Sequence, residues 1–228
     1  MKKINKIPEP QSLIEHRANQ PAFYDGLTKD AKDDLRNNLL REQGHICCYC
    51  LKRIPEKIER EGIGIDQMKV EHYKCQDNHP ELQLAYSNLF GACTGNEGKP
   101  KKLQTCDTQK ANQYLTINLI ATTPDCGTLF KYTAEGEISS LNNDDEINRQ
   151  LQEVLNLNMQ TLKDGRRQVY LEVQKKVEAE SRHLGSKPLK VKYFERERQK
   201  WLRLTNNKHK PFCMVAVYYL TKKIRQNS

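Results

Sequence analysis

Cys47-Cys48-Tyr49-Cys50, Val70-Glu71-His72, Ser87-Asn88-Leu89, Cys93 and Cys106-Asp107-Thr108-Gln109-Lys110 follow one another along the chain, and their reading decides the fold. Two cysteine groups bracket an acid–histidine pair and an asparagine, and the second group leads directly into a carboxylate and a lysine. Each part has an ordinary structural explanation when taken alone. Their order carries the information.

The spacing Cys47-x-x-Cys50 is that of a zinc knuckle, in which two thiolates bind one tetrahedral ion. Cys93 and Cys106, 13 positions apart, are the candidates to close the site, and Cys48 competes with Cys47 at a poorer spacing. An ion bound there is structural, worth of order 10 kcal/mol or more in small zinc domains. Met68–His72 reads as a short strand with Met68, Val70 and His72 on one face and Lys69 and Glu71 on the other. Glu71 and His72 are either a surface pair or, where the strand ends and twists, an acid and a base with separate tasks. Asn88 has the side chain to clamp a loop. Asp107 and Lys110 lie one helical turn apart on a common face, either as an ordinary helix start or as a carboxylate for a divalent ion beside an ammonium for a phosphate.

Working outward, residues 1–26 contain Pro8, Pro10 and Pro21 and read as an extended arm with at most a short helix. Thr28 caps a helix whose apolar face is Ala31, Leu35, Leu39 and Leu40, and Gly44 ends it in the left-handed conformation. Pro55, Gly62 and Gly64 mark the stretch from Cys50 to Met68 as loop. Leu82, Leu84 and Tyr86 alternate toward Asn88, and Asp107 starts a helix to about Tyr114. Residues 128–132 and 137–141 form a hairpin. Asp144 caps a helix with Ile147, Leu151, Val154 and Leu155 on one face; Val169, Val173 and Val177 make a second stripe. Pro188 and Pro211 separate two further helices, the last apolar nearly all round from Phe212 to Leu220 and therefore buried. The segments are 1–44, arm and helix; 45–115, the cysteine-bracketed core; and 116–228, hairpin and helices.

Composition narrows the setting. The 228 residues carry a formal charge of +9 and are 36% hydrophobic and 29% charged, which suits a polyanionic partner. Between Lys187 and Lys210 basic residues interleave with Tyr193 and Trp201, either as a solvated helix face or as a phosphate-tracking surface. No run of about 18 apolar residues is present for a membrane span, and no signal peptide is evident. The expected compartment is the cytoplasm, where clustered cysteines bind metal rather than pair. Cys75, Cys126 and Cys213 are expected free, Cys213 buried.

In this order the parts resemble the HNH endonucleases of the ββα-metal type with a four-cysteine zinc site, and more narrowly the PtuB-type HNH proteins of Septu and retron anti-phage systems. The matching stretches are Glu42-Gln43-Gly44 ahead of Cys-Cys-Tyr-Cys, Val70-Glu71-His72, Tyr86-Ser87-Asn88-Leu89, Cys93-Thr94-Gly95-Asn96 and Gln104 to Lys110. Ile7-Pro8-Glu9-Pro10 with Leu13 and Arg17, and Leu155-Asn156-Leu157-Asn158 before Leu162 and Arg166, extend the resemblance over residues 1 to about 170. It implies an α+β fold, mainly helical, around a ββα-metal core stapled by zinc on Cys47, Cys50, Cys93 and Cys106. It implies His72 as general base, Asn88 as brace and orienter of that histidine, Glu71 and Asp107 as ligands of a catalytic Mg²⁺ or Mn²⁺, and Lys110 on the phosphate. Two departures stand out. Asp107 replaces the metal-binding histidine of many HNH enzymes, and Thr105 stands where relatives carry a histidine, leaving a weaker metal site or His79 folding back into it. The implied activity is phosphodiester hydrolysis in DNA or tRNA. The implied partner is an SMC- or ABC-type ATPase (PtuA-like), in retron systems together with a reverse transcriptase and its RNA–DNA product. The rival readings are a zinc-bearing nucleic-acid-binding module without catalysis and an ATPase adaptor.

Overall fold

Helix α1 (Gln11–Ala18) interrupts the proline-rich arm, and α2 (Lys29–Glu42) delivers the chain to the first cysteines. Thr28 Oγ1 accepts the Ala31 N–H at 3.2 Å, satisfying one of the amides left open at a helix start. Ala31, Leu35 and Leu39 form the buried stripe. At Gly44 φ is +58°, and a Cβ there would lie 2.6 Å from the His209 ring, so the turn needs glycine for conformation and for space.

The computed structural model describes residues 1–55 and 66–228 in full and, between them, the backbone of strands β1 (Ile58–Arg60) and β2 (Ile63–Ile65). These two pair antiparallel, so the stretch read from its proline and glycines as loop contains a hairpin. Strand β3 (Met68–His72) pairs antiparallel with β4 (Leu89–Cys93), placing Glu71 opposite Phe90 and His72 opposite Leu89. The alternating residues before Asn88 are not a strand. They fall in and between two 3₁₀ turns, Pro80–Leu82 and Tyr86–Asn88, and the pairing strand begins only after Asn88. Helix α3 (Cys106–Lys110) is shorter than expected, because Ala111 takes φ +48° and turns the chain out of the helix.

Strands β5 (Phe130–Tyr132) and β6 (Ile138–Ser140) form the expected hairpin. Asp144 caps α4 (Asp145–Arg149), accepting the Ile147 N–H at 2.9 Å, and the helix widens into a π segment, Gln150–Val154. Helices α5 (Gln160–Ser181), α6 (Lys187–Leu202) and α7 (Cys213–Asn227) complete the chain. From Cys213 to Ala216 every residue of α7 is buried, as are Tyr219 and Leu220. The described residues are α+β, with two-stranded antiparallel sheets among helices. None of their helices is long and apolar enough to cross a membrane.

The motif Leu155-Asn156-Leu157-Asn158 ties the helical region to the strands. Leu155 O accepts the backbone N–H of Cys106 at 2.9 Å, and Asn156 Nδ2 donates to Gln104 O at 2.8 Å. Asn158 bonds both backbone groups of Ile138 in the manner of an added strand, and the buried Arg166 donates to Leu157 O and Gly136 O. One apolar cluster runs from Leu35 and Leu39 through Leu89 and Leu155 to Phe194 and Val215.

Candidate active site and metal centre

The sulfurs of Cys47, Cys50, Cys93 and Cys106 all lie within 4.8 Å of one another. Cys50 Sγ to Cys93 Sγ and Cys93 Sγ to Cys106 Sγ are each 3.8 Å. An ion bonded to four sulfurs at about 2.3 Å in a tetrahedron sets sulfur separations of about 3.8 Å, so the donors fit one metal ion. Two loops build the site. In the first, Cys47 N–H donates to Lys52 O, Leu51 N–H returns to Cys47 O, and Lys52 N–H points at Cys50 Sγ, with Leu51 in the left-handed region. In the second, Gly95 sits at φ +57° where a Cβ would fall 2.2 Å from Thr105 O; the close approach lets Thr105 N–H reach Gly95 O and brings Cys106 beside Cys93. Cys48 is buried outside the cluster, which settles its competition with Cys47. Burial pushes the Cys47 thiol up, but hydrogen bonds from Cys106, Cys48, Cys50 and Cys93 outweigh it and hold it well below the usual thiol range. Cys50 and Cys106 are pushed well above it by their sulfur neighbours and by burial, so without an ion the cluster favours a single thiolate stabilised by the surrounding thiols, and a metal would displace the remaining protons.

Glu71 is fully buried, 1% exposed, at the end of β3. Its Oε1 accepts the Tyr49 hydroxyl at 2.6 Å and the Lys110 ammonium at 2.8 Å, while Oε2 is buried without a hydrogen-bond partner. The Asp107 carboxyl, from the first turn of α3, lies in hydrogen-bonding reach of the Glu71 carboxyl. Burial pushes the Glu71 carboxyl well above the usual range and Asp107 adds to the rise, against the pull of Lys110. For Asp107, burial is outweighed by the adjoining Glu71 carboxyl and by the Lys69 ammonium 3.1 Å away, so it stays below the usual range. Two juxtaposed carboxyls must share a proton or a cation. The pair, with Glu71 Oε2 unbonded and Asp107 on the cleft, therefore offers donors suited to a divalent ion.

His72 Nε2 lies 3.0 Å from Gln83 O. A carbonyl only accepts, so Nε2 carries the proton and Nδ1 is left as the basic nitrogen. Burial lowers the ring's pKa, keeping it neutral and able to take a proton at pH 7. The Tyr24 ring packs edge-on against it at 4.6 Å. Asn88 clamps the loop that supplies Gln83: Nδ2 donates to Lys74 O at 3.0 Å and Leu82 O at 3.2 Å, and Oδ1 accepts Lys74 N–H at 2.8 Å. His72, Asp107 and Lys69 line an open polar cleft, with Cys75, Asn112 and Thr108 also on its wall.

The structure brings His72 and Asp107 to one cleft, with Glu71 buried against Asp107 and Asn88 behind the loop that holds His72, and places Lys110 elsewhere than expected. Its ammonium is 1% exposed and spent on Glu71, His72 O and Ala111 O, so it faces the protein interior and not the cleft. The short, strongly turned α3 rotates it under β3. His79 stays 3.4 Å from Glu81, away from the cleft wall. Two residues of the site escaped the sequence reading. Lys69 is the ammonium that does line the cleft; its alternation with Glu71 on β3 was the available signal. Tyr49 was hidden between cysteines, and only its reach to Glu71 reveals it.

No protein-family model matches the sequence. The chain is similar to a curated protein of Escherichia coli named "Retron Ec83 putative HNH endonuclease", with 28% identity over 126 residues, 49% of this chain and 46% of that protein. The match spans less than half of that protein's length. With the four-cysteine cluster, the likeness supports a metal-binding chain related to HNH nucleases, at the level of the family alone.

Proposed function

We propose that this chain is a metal-dependent HNH endonuclease of the PtuB type that hydrolyses phosphodiester bonds, working in the cytoplasm as the effector of a retron- or Septu-like defence assembly with an ATPase partner. The observation that carries the reading is the convergence of a neutral His72, its Nδ1 free to act as base, with Asp107 on one polar cleft, and the buried Glu71 carboxyl against Asp107 behind the cleft wall. The resemblance in motif order and the likeness to a retron protein support it further. The four cysteines hold structural Zn²⁺ in this reading, given sulfur spacings suited to a bond of about 2.3 Å. Glu71 and Asp107 would hold the catalytic Mg²⁺ or Mn²⁺, which supplies Lewis-acid stabilisation of charge on the phosphate.

The chain's own residues do the rest. His72 Nδ1 takes the proton of the attacking water, and Gln83 O fixes the tautomer and steadies the imidazolium that results. Asn88 is a positioning residue that holds the Gln83 loop. Lys69, half-open to the cleft, meets the phosphate in place of the buried Lys110. The helices after residue 160 offer the docking face for the ATPase.

The test is cleavage of plasmid DNA and of total tRNA by the purified chain, with and without the co-encoded ATPase, in Mg²⁺, Mn²⁺ or EDTA. Roughly one zinc per chain is expected, with cutting that EDTA stops. His72→Ala should bind nucleic acid as before and cut roughly 10²–10⁴ times more slowly. Undiminished cutting by that variant would remove the base from the mechanism. Binding without cutting under every condition would leave the zinc-bearing binding module as the better description.

A further inference from the structure

Tyr49 sits inside the cysteine knuckle, two residues after Cys47 and one before Cys50, and is 1% exposed. Its hydroxyl donates to Glu71 Oε1 at 2.6 Å, the same oxygen that takes the Lys110 ammonium at 2.8 Å. Lys110 lies one turn beyond Cys106 in α3. Both groups holding the carboxylate are therefore rooted at the metal-binding cysteines, one at each loop. The partner oxygen, Oε2, is buried with nothing bonded to it and lies on a carboxyl that touches Asp107. A carboxylate pinned by two donors on one oxygen presents the other in a fixed direction.

We propose that Tyr49 and Lys110 are positioning residues that lock Glu71 Oε1 so that Oε2 and Asp107 together receive the divalent ion, which makes the affinity of the cleft for that ion depend on the geometry of the four-cysteine cluster. The inference rests on the reading of Glu71 as a metal ligand. A hydroxyl within the knuckle serves the cysteine cluster in no way, since its one hydrogen bond goes to Glu71. Outer partners that orient a ligating carboxylate typically carry a factor of 10–100 in metal affinity. The same pinning gives a buried lysine a role beneath the strand: it offsets the Glu71 charge through Oε1 while leaving Oε2 unbonded.

The experiment is Mn²⁺ binding by the full-length, zinc-loaded chain, followed by calorimetry or by the paramagnetic signal of free Mn²⁺, for wild type, Tyr49→Phe, Lys110→Gln and Glu71→Gln. Tyr49→Phe should keep its zinc and weaken Mn²⁺ binding at least tenfold. Cutting by this variant should recover to within a few-fold of wild type at saturating Mn²⁺, splitting metal affinity from turnover. Lys110→Gln keeps an N–H for Glu71 but not the charge, and it decides the matter should Tyr49→Phe lose its zinc; it too should weaken Mn²⁺ binding. Glu71→Gln separates the two layers of the argument. If Glu71→Gln binds Mn²⁺ as wild type does, Glu71 is no metal ligand and the catalytic reading of it fails together with this inference. If Glu71→Gln loses the ion while a zinc-loaded Tyr49→Phe or Lys110→Gln retains wild-type affinity, the positioning role alone is overturned.

Discussion

The strands and cysteine loops between residues 45 and 115 and the helices beyond residue 160 are held together by different physics. The first region buries Glu71, His72, Asn88 and Lys110, and its two central strands, β3 and β4, are five residues long. Its first cysteine loop seats Ile46, Tyr49, Leu51 and Ile54 in the core, and fixed geometry at the site itself comes from four sulfurs and from hydrogen bonds to single atoms. The second region packs α6 chiefly on α7 and α5 on α7, through Phe194, Val177, Val215 and Leu220. There, apolar burial sets most of the stability, with the buried Arg166 and Glu197 as its polar exceptions. The contrast teaches that precision at the cleft comes from buried charge pairs that cost desolvation, joined on the proposed reading by a bound ion, and that the helices supply apolar burial to carry that cost.

The sharpest way to break this comparison is to remove the sulfur cluster. Cys106→Ser should lose the metal ion, whose contribution in small zinc domains is of order 10 kcal/mol. Amide NMR signals of residues 45–115 are expected to collapse toward unfolded positions while those of α5–α7 stay dispersed. A single cooperative loss of all signals would mean that the two regions do not differ in the way argued. The converse change is Phe194→Ala, a fully buried ring on α6. It should cost about 3–5 kcal/mol in thermal or denaturant unfolding. Bound zinc per chain should be unchanged below the melting transition.

How much of this was legible in the sequence follows the same division. Periodicity of apolar residues is a direct readout of burial, so α2, the Val169–Val177 stripe of α5 and the buried α7 could be anticipated from their spacing. The cysteine set followed from motif order, and the resemblance supplied the Glu71, His72, Asn88 and Asp107 roles that the proposed function takes up. What failed was decided by backbone conformation at single residues. Ala111 at φ +48° ends α3 early and carries Lys110 inward, and no local signal marks an alanine for that conformation. The hairpin of β1 and β2 was obscured by glycines that usually mark loops. Tyr49 and Lys69 act across the chain on residues 22 and 38 positions away, a relation that spacing cannot express.

A smaller effect sharpens the contrast inside the cleft. Lys69 is 31% exposed and bridges Asp107 and Glu97, whereas Lys110 is sealed beneath β3. If Lys69 meets the phosphate, Lys69→Ala should weaken nucleic-acid binding about tenfold, about 1.4 kcal/mol. The slope of log affinity against log salt should fall by roughly one. Its melting temperature should hardly move, because a half-open ion pair contributes at most about 1 kcal/mol. An unchanged salt slope would place the phosphate elsewhere.

The least effect, and the most local, is at the seam between the two regions. His209 N–H donates to Gly44 O at 2.9 Å, its carbonyl accepts from Arg53, and its ring Nδ1 is buried without a partner. Burial, with Lys2 and Arg53 nearby, lowers the ring's pKa to about 4. The unfolded chain therefore binds a proton near pH 6.5 that the folded chain refuses until about pH 4. Stability from this group is complete above about pH 6.5 and is lost as pH falls from there toward 4. The ring is only partly removed from the influence of solvent, so the loss is screened to roughly 1–2 kcal/mol. Denaturant midpoints of wild type and His209→Gln, compared from pH 7.5 to 4, should converge as the acid limb is reached, because glutamine has no proton to gain. Parallel curves would show that the imidazole at this seam is as open to protons in the folded protein as in the unfolded one.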